Sequence, residues 1–386
     1  MGEVNLASSN NFKRVNFYEN KRVVFIVNHD VVIYNFRKEI VEALIKKGYE
    51  VIIVSPFGER IPLLEELGCK FIEVEVDRHG MNPFKEFALI KHYKDILTKI
   101  NPLVVLTFTI KPNIYSGLAS AKLNIPYISN ITGLGTALEK NSLTSKILVL
   151  LYKFSFRRIN SIFFQNNENL EFFKKKRIAK ENKYNLLPGS GVNLNYFKLL
   201  SYPKSDVIKF VFISRLMKEK GIEQYLEAAE IIKKEYPNTE FHICGFAEQD
   251  YEEKLTSLQK SGIIIYHGMV MDIRKLLIDM HCTIHPSYYP EGISNVLLES
   301  ASSGRPLITT NHVGCKEVIN NNKNGYLFQP KNTDDLVIQI KKFLDLSYEE
   351  KRDMGKESRK YVSERFSRDI VIDQYMQKIE NILEGI

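Results

Sequence analysis

The sequence predicts an α/β protein made of two doubly wound parallel-sheet domains that face one cleft. Three observations carry this expectation. Short apolar runs alternate with segments of helical periodicity along most of the chain. The alternation halts once, across Gly189-Ser190-Gly191-Val192-Asn193 and a polar stretch through Ser201-Tyr202-Pro203, and then resumes. A chain of 386 residues also exceeds what one hydrophobic core usually organises and is long enough for two.

The first series opens with an apolar strand at 22–28, a helix at 34–47 that Gly48 stops, and a strand at 50–55. Further strands are expected at 70–74, 104–107, 127–130 and 161–165, with helical patterns between most of them. This is the rhythm of a parallel doubly wound sheet. The second series has strands at 210–214, 240–244, 263–267, 282–285 and 307–310, so a second sheet of the same kind is implied. The expected boundaries are therefore 1–198 and 199–367, followed by a terminal segment, 368–386, that carries an amphipathic helical pattern. Residues 1–20 show no clear periodicity.

Composition narrows the class. With 44% hydrophobic and 26% charged residues the chain is an ordinary globular one, and extensive disorder is excluded. Cys69, Cys244, Cys282 and Cys315 stand far apart with no paired metal spacing, and read as reduced, packed thiols of a cytosolic protein. No apolar run approaches the roughly 20 residues that span a bilayer, and the first residues are too polar for a signal peptide. A cytoplasmic location is expected. A net charge of +8 and a pI near 9.0 favour an anionic partner, whether nucleic acid, a phosphorylated ligand or an anionic membrane.

The most informative stretch runs Glu291-Gly-Ile-Ser-Asn-Val-Leu-Leu-Glu299 between the strand at 282–285 and Gly304-Arg305-Pro306. It reads as a strand, a tight turn and a helix opened by Ser294 and Asn295, where free backbone N–H groups and the positive end of the helix dipole attract phosphate. Glu291 lies in the turn and Glu299 more than a helical turn inside, so the two carboxylates can hold separate hydroxyl-bearing parts of one ligand. A nucleotide sugar has that shape. The stretch resembles the Glu-x7-Glu signature of the retaining glycosyltransferases of family 4 (group 1), which have the GT-B fold of two Rossmann-like domains and include many bacterial enzymes of capsule, O-antigen and lipid-linked glycan assembly.

The resemblance implies roles residue by residue. Glu291 would hold the transferred sugar's hydroxyls, and Glu299 the ribose. Gly292, Ile293, Ser294 and Asn295 would line the donor phosphates. Arg215 and Lys220, from Ser214-Arg215 and Lys218-Glu219-Lys220-Gly221, would neutralise the leaving diphosphate. Gly245 and Val270 stand at strand ends expected to meet the base, which in such enzymes is usually uridine. In this scheme the donor phosphate serves as the base toward the incoming hydroxyl, and neither a metal nor a cofactor beyond the nucleotide-sugar donor is required. The terminal helix would cross back onto the first domain.

The first domain is expected to carry the acceptor, a lipid-linked saccharide. Three of its loops, at 77–83, 109–115 and 130–136, look like those of the subgroup that extends such chains, and they nominate Arg78, Lys111, Thr132, Gly133 and Gly135. His29 and Asp30 follow the first strand, where many relatives carry a Gly-rich loop that this chain lacks. Some relatives have a His at about Ile110, so no proton transfer is assigned there. The helical segment 142–160, with Lys146, Lys153 and Arg157 among apolar residues, reads first as a sheet-packing helix whose outer face could meet an anionic membrane. Lys174-Lys175-Lys176-Arg177 after Phe172-Phe173 adds a second basic spot, and a peripheral place on the inner face of the cytoplasmic membrane is expected.

Other motifs fail. Gly189-Ser190-Gly191 lacks the third glycine of a dinucleotide fingerprint. His281 and His285 would lie some 13 Å apart along a strand, too far for one ion. No Walker-type or nucleic-acid-binding motif is present. Two alternatives stay open at this level: a nucleotide-sugar epimerase of the same architecture, and a non-catalytic sugar-nucleotide-binding protein.

Overall fold

Strands of a parallel sheet are covered on both faces by their crossover helices, so they are apolar throughout rather than alternating. The computed structural model, which describes residues 21–385 except 78, 79, 81, 135–141, 248, 249 and 291, has two such sheets. The first comprises β1 (Arg22–Ile26), β2 (Glu50–Ser55), β3 (Lys70–Glu73), β4 (Val104–Phe108), β5 (Tyr127–Ile131), β6 (Ser161–Phe164) and β7 (Tyr184–Leu186) in the order β3-β2-β1-β4-β5-β6-β7. The second comprises β8 (Ile208–Ile213), β9 (Thr239–Cys244), β10 (Ile265–Tyr266), β11 (Cys282–His285), β12 (Leu307–Thr310) and β13 (Gly325–Phe328) in the order β10-β9-β8-β11-β12-β13. Every neighbouring pair is parallel. The strand order therefore reverses between β1 and β4 in one sheet and between β8 and β11 in the other, and ligands of such sheets bind beyond the strand ends at these switch points.

The helices are α1 (Val31–Phe36), α2 (Lys38–Lys46), α3 (Ile61–Glu66), α4 (Pro83–Ile100), α5 (Ile110–Leu123), α6 (Leu143–Ser155) and α7 (Asn167–Lys175) in the first half. The second half contributes α8 (Ile222–Glu235), α9 (Glu252–Lys260), α10 (Ile273–Leu277), α11 (Asn295–Ser302), α12 (Thr333–Leu344), α13 (Tyr348–Arg365) and α14 (Arg368–Glu384). On one face of the first sheet Tyr93, Ile96, Ile114 and Tyr152 of α4, α5 and α6 pack over Val24, Ile26 and Val105. The other face takes Ile40 and Leu44 of α2 together with Val371, Tyr375 and Ile379 of α14. The terminal helix thus completes the first sheet's core, and the Tyr375 hydroxyl donates to the Asn130 side chain. In the second sheet α8 and α12 cover Phe210, Phe212 and Phe241.

Three elements differ from the sequence reading. The single helix expected at 34–47 is two, because the chain breaks at Arg37 (φ −138°). Arg37 is fully buried, donating 2.7 Å to the Phe36 carbonyl and lying 5.3 Å from the Phe108 ring. A continuous helix of that amphipathic pattern does not anticipate a guanidinium turned into the core. Strands β7 and β13 were not expected either. β7 is a partly exposed edge of three residues, and β13 opens on Gly325, whose absent Cβ would lie 2.0 Å from the Leu307 carbonyl oxygen. Close strand approach, not a turn, requires that glycine.

Candidate active site

On the second domain, the ends of β8, β9 and β10 are stitched by backbone. Ser214 donates 3.0 Å to the Cys244 carbonyl and Gly245 donates 2.8 Å to that of Gly268. A Cβ at Gly245 (φ +148°) would fall 1.7 Å from the Ser214 oxygen, so only glycine fits. Val270 is half-buried a few residues on, with Met269 and Met271 exposed on either side.

Arg215 follows β8, and Lys220 ends a 3-10 turn, Lys218–Lys220, that closes on Gly221 in the left-handed region. Gly221 sits against the loop after β11, where a Cβ would be 2.2 Å from the Pro286 oxygen. That approach, with the Tyr288 amide donating 2.9 Å to the Glu219 carbonyl, seats one loop on the other. Both cations then converge on one aromatic ring: the Arg215 guanidinium is 5.7 Å and the Lys220 ammonium 4.9 Å from the centre of the Tyr289 ring. Lys220 is only 6% exposed.

Ser294 is the N-cap of α11, as its position in the motif suggests, but its hydroxyl does not bond the first-turn amides. It meets His285 Nε2 at 3.2 Å instead, while the Ser294 amide donates 2.7 Å to the Gly314 carbonyl. The helix start is thereby fixed from below with no side-chain cap on its N–H groups, the arrangement that suits an anion. Glu299 is partly exposed, yet desolvation pushes its carboxyl up to about 7, against the opposing charge of Arg368. Arg368 in turn pairs with Glu39 at 2.6 Å and donates 3.1 Å to the Gly191 carbonyl, and Asn193 donates 2.9 Å to Glu39. One buried network therefore joins α2, the interdomain segment and α14 beside Glu299.

The first domain closes on this loop. Asn166, after β6, donates 3.1 Å to the Gly292 carbonyl, and a Cβ at Gly292 would lie 2.0 Å from Gln165 Oε1 and 2.7 Å from the Thr132 carbonyl oxygen. Gly189 (φ +65°) approaches Ile293 so closely that a Cβ would be 2.6 Å from that side chain, and Gly191 meets the Arg368 backbone in the same way. These glycines, which mimic a dinucleotide fingerprint in sequence, are the close contacts between linker, donor-side loop and terminal helix. Lys316 and Glu168 add an ion pair of 2.8 Å across the cleft.

Arg215 and Lys220 are thus brought together at Tyr289, while Gly292 meets Gln165, Asn166 and the Thr132 carbonyl and Ile293 meets Gly189. Glu291, Arg78 and Gly135 lie outside the described residues. Two acceptor candidates are placed differently. Asp30 is 1% exposed, its carboxylate taken by the amides of Val31 (2.9 Å) and Arg60 (2.7 Å) and by His29 Nδ1 (2.5 Å). Asp30 is therefore a helix cap that orients His29, and only His29 keeps an accessible ring. Lys111 is held by Glu86 at 2.5 Å and by the Gly80 carbonyl at 2.7 Å, which makes it a tie between α5 and the loop before α4. Two residues escaped the sequence reading. Tyr289 carries no motif signature, since its role depends on loops meeting in space. Thr109, after β4, holds φ +70° with its hydroxyl buried and unpartnered, an outlier for a β-branched residue at a switch point.

Comparison with known proteins accords with this geometry. The family model described as "Glycosyl transferases group 1" matches residues 201–361, and "Glycosyl transferase 4-like" matches residues 22–166. The chain belongs to this glycosyltransferase family. Among curated proteins, this glycosyltransferase is 28% identical, over 84% of its length and 89% of the relative's, to N,N'-diacetylbacillosaminyl-diphospho-undecaprenol alpha-1,3-N-acetylgalactosaminyltransferase of Campylobacter jejuni. It is 24% identical, over 92% of its length and 96% of the relative's, to the capsular polysaccharide biosynthesis glycosyltransferase CapM of Staphylococcus aureus. A glycosyltransferase structure from Rickettsia africae superposes with a TM-score of 0.77 at 21% identity, covering 96% of this chain and all of that one, and shares the fold. So does Anabaena HepE in complex with UDP, with a TM-score of 0.76 at 16% identity over 93% of this chain.

Proposed function

We propose that the protein is a retaining glycosyltransferase that moves a sugar from a nucleoside-diphosphate donor, most consistently a UDP-sugar, to a lipid-linked saccharide, acting peripherally at the inner face of the cytoplasmic membrane. The observation that carries this reading is the convergence of Arg215 and Lys220 on Tyr289, in the loop that leads from the second sheet to an uncapped helix start. Two cations and a row of N–H groups make a seat for a diphosphate whose charge grows as its bond to the sugar breaks. Glu299, further along α11, is assigned to ribose hydroxyls, and the strand ends at Gly245 and Val270 to the base. Glu291 is assigned to the sugar.

Stereochemistry follows from what surrounds the reaction centre in this scheme. The incoming hydroxyl approaches from the side of the departing phosphate, which takes its proton, so the anomeric configuration is retained and no side-chain base is needed. The acceptor enters over His29 and the Thr132–Gly133 turn. Support for a lipid carrier comes from the Campylobacter jejuni relative, whose name specifies a diphospho-undecaprenol substrate, and UDP as donor nucleotide is supported by the HepE complexes. No described helix is long and apolar enough to cross a membrane.

Replacing Glu291 by Ala is expected to lower turnover about 10²-fold in a protein with an unchanged melting temperature, as for loss of one preorganised electrostatic contact. Near-normal turnover in the folded variant would remove Glu291 from the site.

A further inference from the structure

Helix α6 is apolar on both sides. Its inner side gives Leu148, Val149 and Tyr152 to the core of the first sheet, yet Leu143 (75% exposed), Ile147 (50%), Leu150 (53%) and Phe154 (45%) project outward at helical spacing. The crossing with α5 is made through small groups. Ser155 Oγ donates to the Asn113 and Ile114 carbonyls at 3.0 and 2.9 Å, and a Cβ on Gly117 would strike that hydroxyl at 2.3 Å. The only charges on the helix are Lys146 and Lys153, both exposed, and it bears no acid. A helix apolar all round with basic residues on its outer side fits an anionic lipid surface better than water.

At the far end of α6 lies a cavity of about 440 Å³ whose rim is Lys153, Arg157, Arg158, Arg177, Lys180 and Lys183. Its floor includes Phe156 and Ile159, and no carboxylate is among the lining residues. The nearby Glu181 pairs with Lys174 at 3.5 Å. Arg158 is fixed by bonds to the Ala121 carbonyl (3.3 Å) and the Asn124 side chain (2.5 Å), and Arg157 lies 4.7 Å over the Phe154 ring, continuous with the apolar stripe. Asn160, in the lining, precedes β6 and Gln165, at the cleft, follows it, so the cavity and the cleft are separated by at least the length of that strand, about 13 Å. The cavity is therefore outside the proposed donor and acceptor seats.

We propose that this cavity binds the phosphate of an anionic phospholipid headgroup while the outer face of α6 enters the acyl boundary, so that the bilayer is read at one end of the helix and the cleft is presented at the other. This deepens the membrane-peripheral reading above and rests on it. Six cations around one concavity would repel each other in the absence of an anion, and the adjoining apolar stripe selects a lipid over a free phosphate.

The test is flotation with phosphatidylcholine vesicles, with and without phosphatidylglycerol, using the full chain. The triple variant Arg177→Ala, Lys180→Ala, Lys183→Ala is expected to lose about 10²-fold in affinity for phosphatidylglycerol vesicles, since each basic group near such a surface contributes roughly a factor of five. The charge-matched variant Lys234→Ala, Lys254→Ala, Lys260→Ala, on the second domain, should bind like wild type. Equal losses in the two variants would reduce the attraction to net charge and overturn the site, as would wild-type flotation by the first. If the wild type binds inorganic phosphate through these residues but does not float, the site serves a free anion and the lipid assignment falls. Both variants should melt like wild type and transfer sugar normally to a short-chain acceptor in detergent. Loss of docking is thereby separable from failure of the transferase reading.

Discussion

Glu299 shows how one residue's surroundings set a measurable property. Its carboxyl, pushed up to about 7 by desolvation, compares with about 4.3 for an unfolded glutamate. Below both values the group is neutral in each state and costs nothing. Between them the folded protein keeps a proton that the unfolded chain has lost, so stability falls as pH rises through this window and the penalty is complete above about 7. Glu299→Gln should therefore raise the melting temperature at pH 8 and leave it nearly unchanged at pH 4.5, and an equal effect at both would contradict the burial argument. A ribose hydroxyl donating to the carboxylate would favour its ionised form, so donor affinity should strengthen as pH rises through the same window in wild type and not in the variant. Arg215 and Lys220 act on a different part of the ligand. Changing either to Ala should weaken the bare nucleoside diphosphate about 10- to 100-fold in calorimetric titration, the range of a charge-assisted hydrogen bond. Unchanged affinity in both variants would move the phosphate elsewhere.

At the scale of elements, the cleft depends on glycines where loops from the two domains touch. Gly292→Ala places a Cβ against Gln165 and the Thr132 carbonyl oxygen, and a backbone atom cannot step aside as a flexible side chain can. The variant should keep its affinity for the nucleoside diphosphate, which is read by the second domain, while turnover falls at least tenfold because the domains can no longer meet at that spacing. Parallel loss of both would place Gly292 in the nucleotide seat rather than at the domain contact. These contacts also mark what is legible in the chain itself. The strands at 282–285 and 307–310 announce themselves because residues buried on both faces form uninterrupted apolar runs, and the donor-side helix because Ser294-Asn295 opens it. The break at Arg37 and the roles of Gly189 and Gly191 depend on neighbours distant in sequence. Tyr289 is of the same kind: two loops must meet before its ring can serve both cations. Asp30 looks like a ligand group in sequence and is a cap in structure, since nothing local reveals that the Arg60 amide reaches it.

For the whole molecule, loops beyond the ends of the two sheets meet at Gly292 and Gln165, and α14 packs on the first sheet, so the first domain's core is incomplete without the terminal helix. Val371, Tyr375 and Ile379 are buried in the first domain's core although they follow the second domain in sequence. The Glu39–Arg368 pair and the close contact of Gly191 join that helix to α2 and to the interdomain segment. Transfer to an acceptor is the activity that decides the function. Incubation of the full chain with UDP-sugar alone, and then with a lipid-diphosphate saccharide added, separates it from the epimerase and binding-protein alternatives. The predicted result is one new glycosidic bond, with the donor's anomeric configuration retained, formed only when the acceptor is present. An isomerised sugar nucleotide released without acceptor, an inverted linkage, or tight donor binding without turnover in either mixture would contradict it.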